Sequence, residues 1–135
     1  MKKRAKGFTL VEALIALLAL SIGLLGVAAL QMTGLKANLS AAWRTQATYL
    51  AYDILDRMRA NRTSIGSYAT GFGALPSPGG VAQSDLTAWR ANIAAALPGG
   101  TGAVAVNGQT VTVQIQWDDE RTPGSPLTFQ TVSQL

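Results

Sequence analysis

From Phe8 to Leu30 the chain runs 23 residues with a single charge, Glu12. At 1.5 Å per residue a helix of that length crosses a hydrocarbon core of about 30 Å. Beyond Leu30 the polar residues Gln31, Thr33, Lys36 and Asn38 make the segment compatible with water, while Leu35, Leu39, Trp43, Ala47, Leu50, Ile54 and Met58 recur at three- and four-residue spacing. That spacing draws one apolar stripe and predicts that the helix continues to about Arg62, with Ser64-Ile65-Gly66-Ser67 ending it. The stripe requires a covering surface. The stretch Gly66–Gly80, rich in Gly, Ser and Pro, predicts a loop, in which Tyr68 and Phe72 are expected to pack onto the domain. Ser84-Asp85 followed by Leu86, Trp89, Ile93 and Leu97 predicts a short capped amphipathic helix, closed by Pro98-Gly99-Gly100.

The remaining pattern alternates with period two. Ala103–Val106, Asn107-Gly108 and Gln109–Trp117 form two runs around a turn signal, and Val111, Val113, Ile115 and Trp117 share one strand face. A third strand from Leu127 to Val132 sets Leu127, Phe129 and Thr131 on one side. Three antiparallel strands can then cover the helix stripe from Leu35 to Met58, which gives an α+β fold: a long N-terminal helix whose C-terminal half packs on a small antiparallel sheet. The expected organisation is a leader at 1–7, an apolar helix half at 8–30, an amphipathic half at 31–62 and a small α+β head at 63–135.

Charge changes the picture only once it is located. The formal net charge is +4, and Lys2, Lys3, Arg4 and Lys6 supply all of it. After Gly7 seven basic residues face seven acids, so the remainder is near neutral and lacks the clustered basic face that nucleic-acid binding requires. Basic residues ahead of an apolar span resist translocation, which predicts a cytoplasmic amino end and a periplasmic head. There is no Cys and no His, which excludes disulfide staples and the common Cys/His metal and catalytic sites. Asp118, Asp119 and Glu120 form a dense acidic run that could ligate Ca²⁺; Arg121 follows at once, and a solvated strand connection is the simpler expectation. No nucleophile with a base and no phosphate-cradling loop is apparent, so an enzyme is not expected. No cofactor, metal or small-molecule substrate is expected either. Arg57, Arg59 and Arg62 read as a solvated helix end that complements the helix dipole, with Asp53–Arg57 and Asp56–Arg59 spaced for helix-face pairs.

The junction Gly7-Phe8-Thr9-Leu10-Val11-Glu12, behind a short basic leader and ahead of an apolar helix, resembles the class III signal of type IV prepilins. The resemblance implies cleavage between Gly7 and Phe8 by a membrane prepilin peptidase and N-methylation of Phe8. It also implies a pilin-like ladle fold, with the head reached through a variable loop. Glu12, one helical turn from the new amine, is then expected to pair with the amine of its own or an adjacent subunit and set the register of assembly; an acid snorkelling to the interface is the alternative. An ordinary secretory signal would instead be cut after Val27-Ala28-Ala29.

The continuation Leu20–Gln31 and the strand Val113–Trp117 resemble the minor pilins called type IV pilus modification proteins (PilV) more than major pilins. That likeness implies a subunit made in small amounts, with minor and major pilins and the inner membrane as partners, acting in pilus assembly or initiation and so in twitching motility or adhesion. A minor pseudopilin of a type II secretion system shares the same signal. A bitopic membrane-anchored periplasmic binding protein is the alternative of another class.

Overall fold

The computed structural model describes residues 9–76, 79–119 and 124–135. It divides into two compact units, Met1–Ala37 and Asn38–Leu135. Helix α1 (Leu10–Ala60) begins in the first and ends in the second. Along 10–37 every residue is exposed, as befits a segment long and apolar enough to cross a membrane. The two hydroxyls there, Ser21 and Thr33, donate to the carbonyls of Leu17 and Ala29 at 2.7 and 3.0 Å, so both are satisfied within the helix. Gly23, Gly26 and Gly34 do not interrupt the helix.

In the second unit α1 supplies one wall of the core through Ala47, Leu50, Ala51, Ile54, Leu55 and Met58. The expected stripe is therefore shortened at its start: Leu35 is 60% and Leu39 39% exposed, Trp43 is partly buried, and full burial of apolar side chains begins at Ala47. The head covers about four turns of helix, not the whole stripe. Helix α1 also ends at Ala60, two residues before the expected Arg62, and Arg62–Tyr68 forms a 3₁₀ segment. Ser64, with φ −118° and ψ 28°, kinks this segment, and Ile65-Gly66-Ser67 continue it as helical structure of a tighter kind. Its last residue, Tyr68, is fully buried, while Phe72 stays 40% exposed; packing holds for the first and only partly for the second.

Helix α2 (Gly80–Ala96) starts one turn earlier than Ser84-Asp85 suggested. The backbone N–H of Gly79 donates to Gln83 Oε1 at 2.6 Å, so a side chain one turn on reaches back to satisfy the entering donor, and Ser84 and Asp85 fall inside the helix. The apolar face Leu86, Trp89 and Ile93 is buried as the spacing requires, with Ala82 extending it.

Strands β1 (Thr101–Asn107), β2 (Thr110–Trp117) and β3 (Leu127–Gln134) form one antiparallel sheet in the order β1-β2-β3. Asn107 pairs with Thr110, so the turn residues are Gly108 and Gln109, one step later than the Asn-Gly signal placed them. Gly108 has φ +60° and no non-glycine residue among the described residues has positive φ, which is the pattern of a type II′ hairpin with glycine first. On β2 the alternation is strict, with Val111, Val113, Ile115 and Trp117 buried. On β3 the half-buried face is Leu127, Phe129, Thr131 and Ser133. A long N-terminal helix with a small three-stranded antiparallel sheet is an α+β, pilin-like fold.

Candidate assembly site and head surface

Gly7 and Phe8, the expected processing junction, lie outside the described residues, as does the rest of the leader. The description begins at Thr9. The Thr9 Oγ1 accepts the backbone N–H of Glu12 at 3.2 Å, and the Thr9 carbonyl accepts the N–H groups of Glu12 and Ala13 at 3.1 and 3.2 Å. Thr9 is thus the N-cap of α1, and Thr9-x-x-Glu12 has the spacing of a capping box. Sequence reasoning singled out Glu12 for its charge and its place in the prepilin-like junction; the threonine three residues before it was the legible signal that the helix begins here. Glu12 is exposed and sits in the first turn, where a negative charge complements the unsatisfied N–H groups and the helix dipole.

The acidic run after β2 does not stay together in water. Asp118 is exposed, but Asp119 is only 3% exposed and its Oδ2 accepts the Ser40 hydroxyl at 3.1 Å. The solvated-connection expectation is corrected for Asp119, because a carboxylate committed to an internal hydrogen bond is a structural group. Glu120 and Arg121 lie outside the described residues.

A second polar cluster joins α1, the 3₁₀ segment and α2. Arg57 contacts Asp53 at 3.2 Å, as expected for i,i+4, and also Asp85 at 3.3 Å. The Tyr68 hydroxyl donates to Asp85 Oδ2 at 2.6 Å and accepts from Asn61 Nδ2 at 3.3 Å. Burial, and then the bond donated to Asp85, push the Tyr68 phenol above its ordinary range; the hydrogen bond to Asp53, ahead of the attraction to both carboxylates, raises Arg57. Asp85 is therefore a tertiary partner, which no local pattern could have shown. Asp56–Arg59, at 2.6 Å, forms as its spacing required, and Arg59 reaches on to the Ser133 hydroxyl at 3.2 Å.

Arg90 was missed in the sequence. Its guanidinium donates to the carbonyls of Gly71, Ala74 and Gly102 and to Thr70 Oγ1, so one cation pins the connection before α2 to strand β1. Burial lowers its pKa. Beside it Thr70 and Val104 exchange two backbone hydrogen bonds of 2.8 Å, so part of the expected loop lies against the outer edge of β1.

On the other side of the sheet a groove of about 240 Å³ is lined by Arg44, Thr48, Trp117, Leu127, Thr128 and Phe129. The Trp117 Nε1 is the one buried side-chain polar atom without a hydrogen-bond partner among the described residues. Leaving such a donor unsatisfied costs about 1–3 kcal/mol.

Residues 2–28 match the family model described as the prokaryotic N-terminal methylation motif, and residues 29–76 match that described as type IV pilin Tt1218. The two matches adjoin on α1 and the connection after it, and with the fold they support a type IV pilin that carries the prepilin methylation motif. No curated protein and no solved structure matches the chain. The family is one of structural proteins, and the motif together with the apolar helix fits an anchor in the inner membrane.

Proposed function

We propose that this chain is a minor type IV pilin that is cut between Gly7 and Phe8, N-methylated on Phe8 by prepilin peptidase, and taken from the inner membrane into a pilus with other minor and major pilins. In this reading residues 8–30 are the membrane and assembly half of α1, 31–62 its amphipathic half and 63–135 the periplasmic head. The amino end is cytoplasmic until assembly. The subunit acts in pilus assembly or initiation, in the manner of the modification proteins it resembles, and through that in twitching motility or adhesion.

The observation that carries the reading is the Gly7-Phe8-Thr9-Leu10-Val11-Glu12 junction leading into a helix whose residues up to Leu39 are all exposed. Such a surface can lie in lipid and then against the equivalent helices of other subunits. Glu12 is the one charge between Phe8 and Leu30, and its partner is the amine released at Phe8, since a carboxylate left unpaired in a low-dielectric fibre core is costly.

Sequencing the amino end of protein recovered from sheared fibres tests processing and location together. Phe8 as first residue is the expected result; Met1 on functioning, fibre-located protein would overturn it. Gly7→Ala is expected to abolish assembly. Glu12→Ala is expected to leave cleavage largely intact and to lower incorporation, and equal amounts of mutant and wild type in the fibres would remove Glu12 from the register role.

A further inference from the structure

The sheet has two outer edges, and the described residues treat them differently. Part of the β1 edge is occupied by Thr70, which takes and gives one backbone bond with Val104. Strand β3 pairs with β2 alone, and along Leu127–Gln134 its outward backbone groups have no partner among the described residues. The segment Leu-Thr-Phe-Gln-Thr-Val-Ser-Gln has no charge and no proline, so it lacks two of the guards that keep an edge strand from pairing with another chain.

The groove lined by Arg44, Thr48 and Trp117 opens against the first residues of this same edge, Leu127, Thr128 and Phe129. Its volume of about 240 Å³ is several times the ~30 Å³ share of one water, enough for a side chain. Its one charged lining group among the described residues is a cation, Arg44. Arg44 is exposed and makes no ion pair among the described residues, the buried Trp117 indole N–H has no acceptor among them, and the Thr48 hydroxyl already donates to the Arg44 carbonyl at 2.9 Å. No carboxylate is among the groove's described lining residues.

We propose that the open edge of β3 receives an extended segment of a neighbouring pilin subunit, which adds as a fourth strand and seats one acidic side chain in the groove beside Arg44 and Trp117. Main-chain bonds along an edge supply affinity, and a pocket for one side chain supplies choice of partner. The charge complement fixes that side chain as Asp or Glu. This inference rests on the assembly reading above for the identity of its partner.

The test uses the full-length protein, ¹⁵N-labelled, in detergent micelles, with the probe acetyl-Thr-Val-Thr-Glu-Thr-Val-Thr-amide and the same peptide with Gln for Glu. The Glu peptide is expected to slow exchange of alternate β3 amides by about tenfold and to shift the Trp117 indole N–H resonance. It should bind about fivefold more tightly than the Gln peptide, and Arg44→Gln should erase that preference while the Trp89 indole signal stays in place. Equal binding of the two peptides, no protection of β3, or protection that grows with protein concentration alone, which would make the occupant a second copy, each overturns the proposal. In cells, Arg44→Glu is expected to lower recovery from sheared fibres at unchanged membrane level, and recovery equal to wild type also overturns it. Wild type missing from fibres is the separate failure of the assembly reading, since the peptide measurements need no fibre.

Discussion

The indole Nε1 of Trp89 donates to the backbone carbonyl of Leu50 at 2.8 Å, tying the middle of α2 to the middle of the buried face of α1. The approach depends on Gly102: a Cβ there would lie 2.7 Å from Trp89 Cζ3 and 2.8 Å from Ile93 Cδ1. Gly102→Ala is therefore expected to destabilise the head by about 1–3 kcal/mol through overpacking, and Trp89→Ala by about 3–5 kcal/mol through the cavity it leaves. Urea unfolding of the full-length protein in micelles, followed by near-ultraviolet circular dichroism, checks both, and an unchanged Gly102→Ala midpoint would show that α2 has room to shift.

Arg90→Lys is expected to behave nearly as badly as Arg90→Ala. The guanidinium reaches acceptors on Thr70, Gly71, Ala74 and Gly102 at once, and an ammonium has neither the fork nor the reach to do so. Loss of about 2 kcal/mol is expected, and protease cutting between Thr70 and Leu75 should rise first, because the connection is released before the core opens.

Tyr68 gives the head a stability limit in alkali. Burial and the bond to Asp85 raise its pKa in the folded state, opposed by Asn61 and by the charge of Arg57. The neutral phenol is thus favoured by folding; its contribution is complete below the ordinary value of 10.0 and is lost as pH climbs through the raised one. Unfolding midpoints measured between about pH 9 and pH 12 should fall more steeply for wild type than for Tyr68→Phe. Parallel curves would show that the phenol titrates alike in both states.

Thr9→Ala removes the side-chain acceptor for the Glu12 N–H and leaves only the Thr9 carbonyl, and is expected to cost the start of α1 about 1 kcal/mol. Amide exchange at Leu10–Ala13 in micelles should quicken by roughly fivefold, the equivalent of that energy. Thr9→Ser, which keeps the oxygen, should restore protection.

Ser40→Ala breaks the bond to Asp119 in a buried setting and is expected to destabilise by about 1–3 kcal/mol, since it deprives a buried carboxylate of a donor. Thermal melting in micelles checks the loss, and an unchanged midpoint would show that the Ser40 hydroxyl is dispensable.

The strand alternation on β2, the third strand and the helix stripe from Ala47 to Met58 were legible because a single face of each element is buried, and burial imprints its period on the sequence. The errors share a cause. Leu35 and Leu39 continue the stripe but have no cover, since periodicity reports which face is apolar and not how far a partner extends. Ser84-Asp85 looked like a cap, but the actual start of α2 is satisfied by Gln83 from within the helix. The turn moved from Asn107-Gly108 to Gly108-Gln109 because strand register is set by pairing over the whole of β1 and β2.

By itself the sequence determined the long apolar helix, its single acid, the basic residues ahead of it and the α+β order of elements, because hydropathy, charge and period are properties of the chain read in one dimension. Only the tertiary structure decided that Asp85 serves Tyr68 and Arg57, that Asp119 turns inward to Ser40, that Arg90 clasps the connection before α2, and that β3 keeps an open edge beside Arg44. Those relationships join residues from 12 to 79 positions apart, and the free energy that selects them comes from desolvation and hydrogen-bond geometry, which exist only once the surfaces have met.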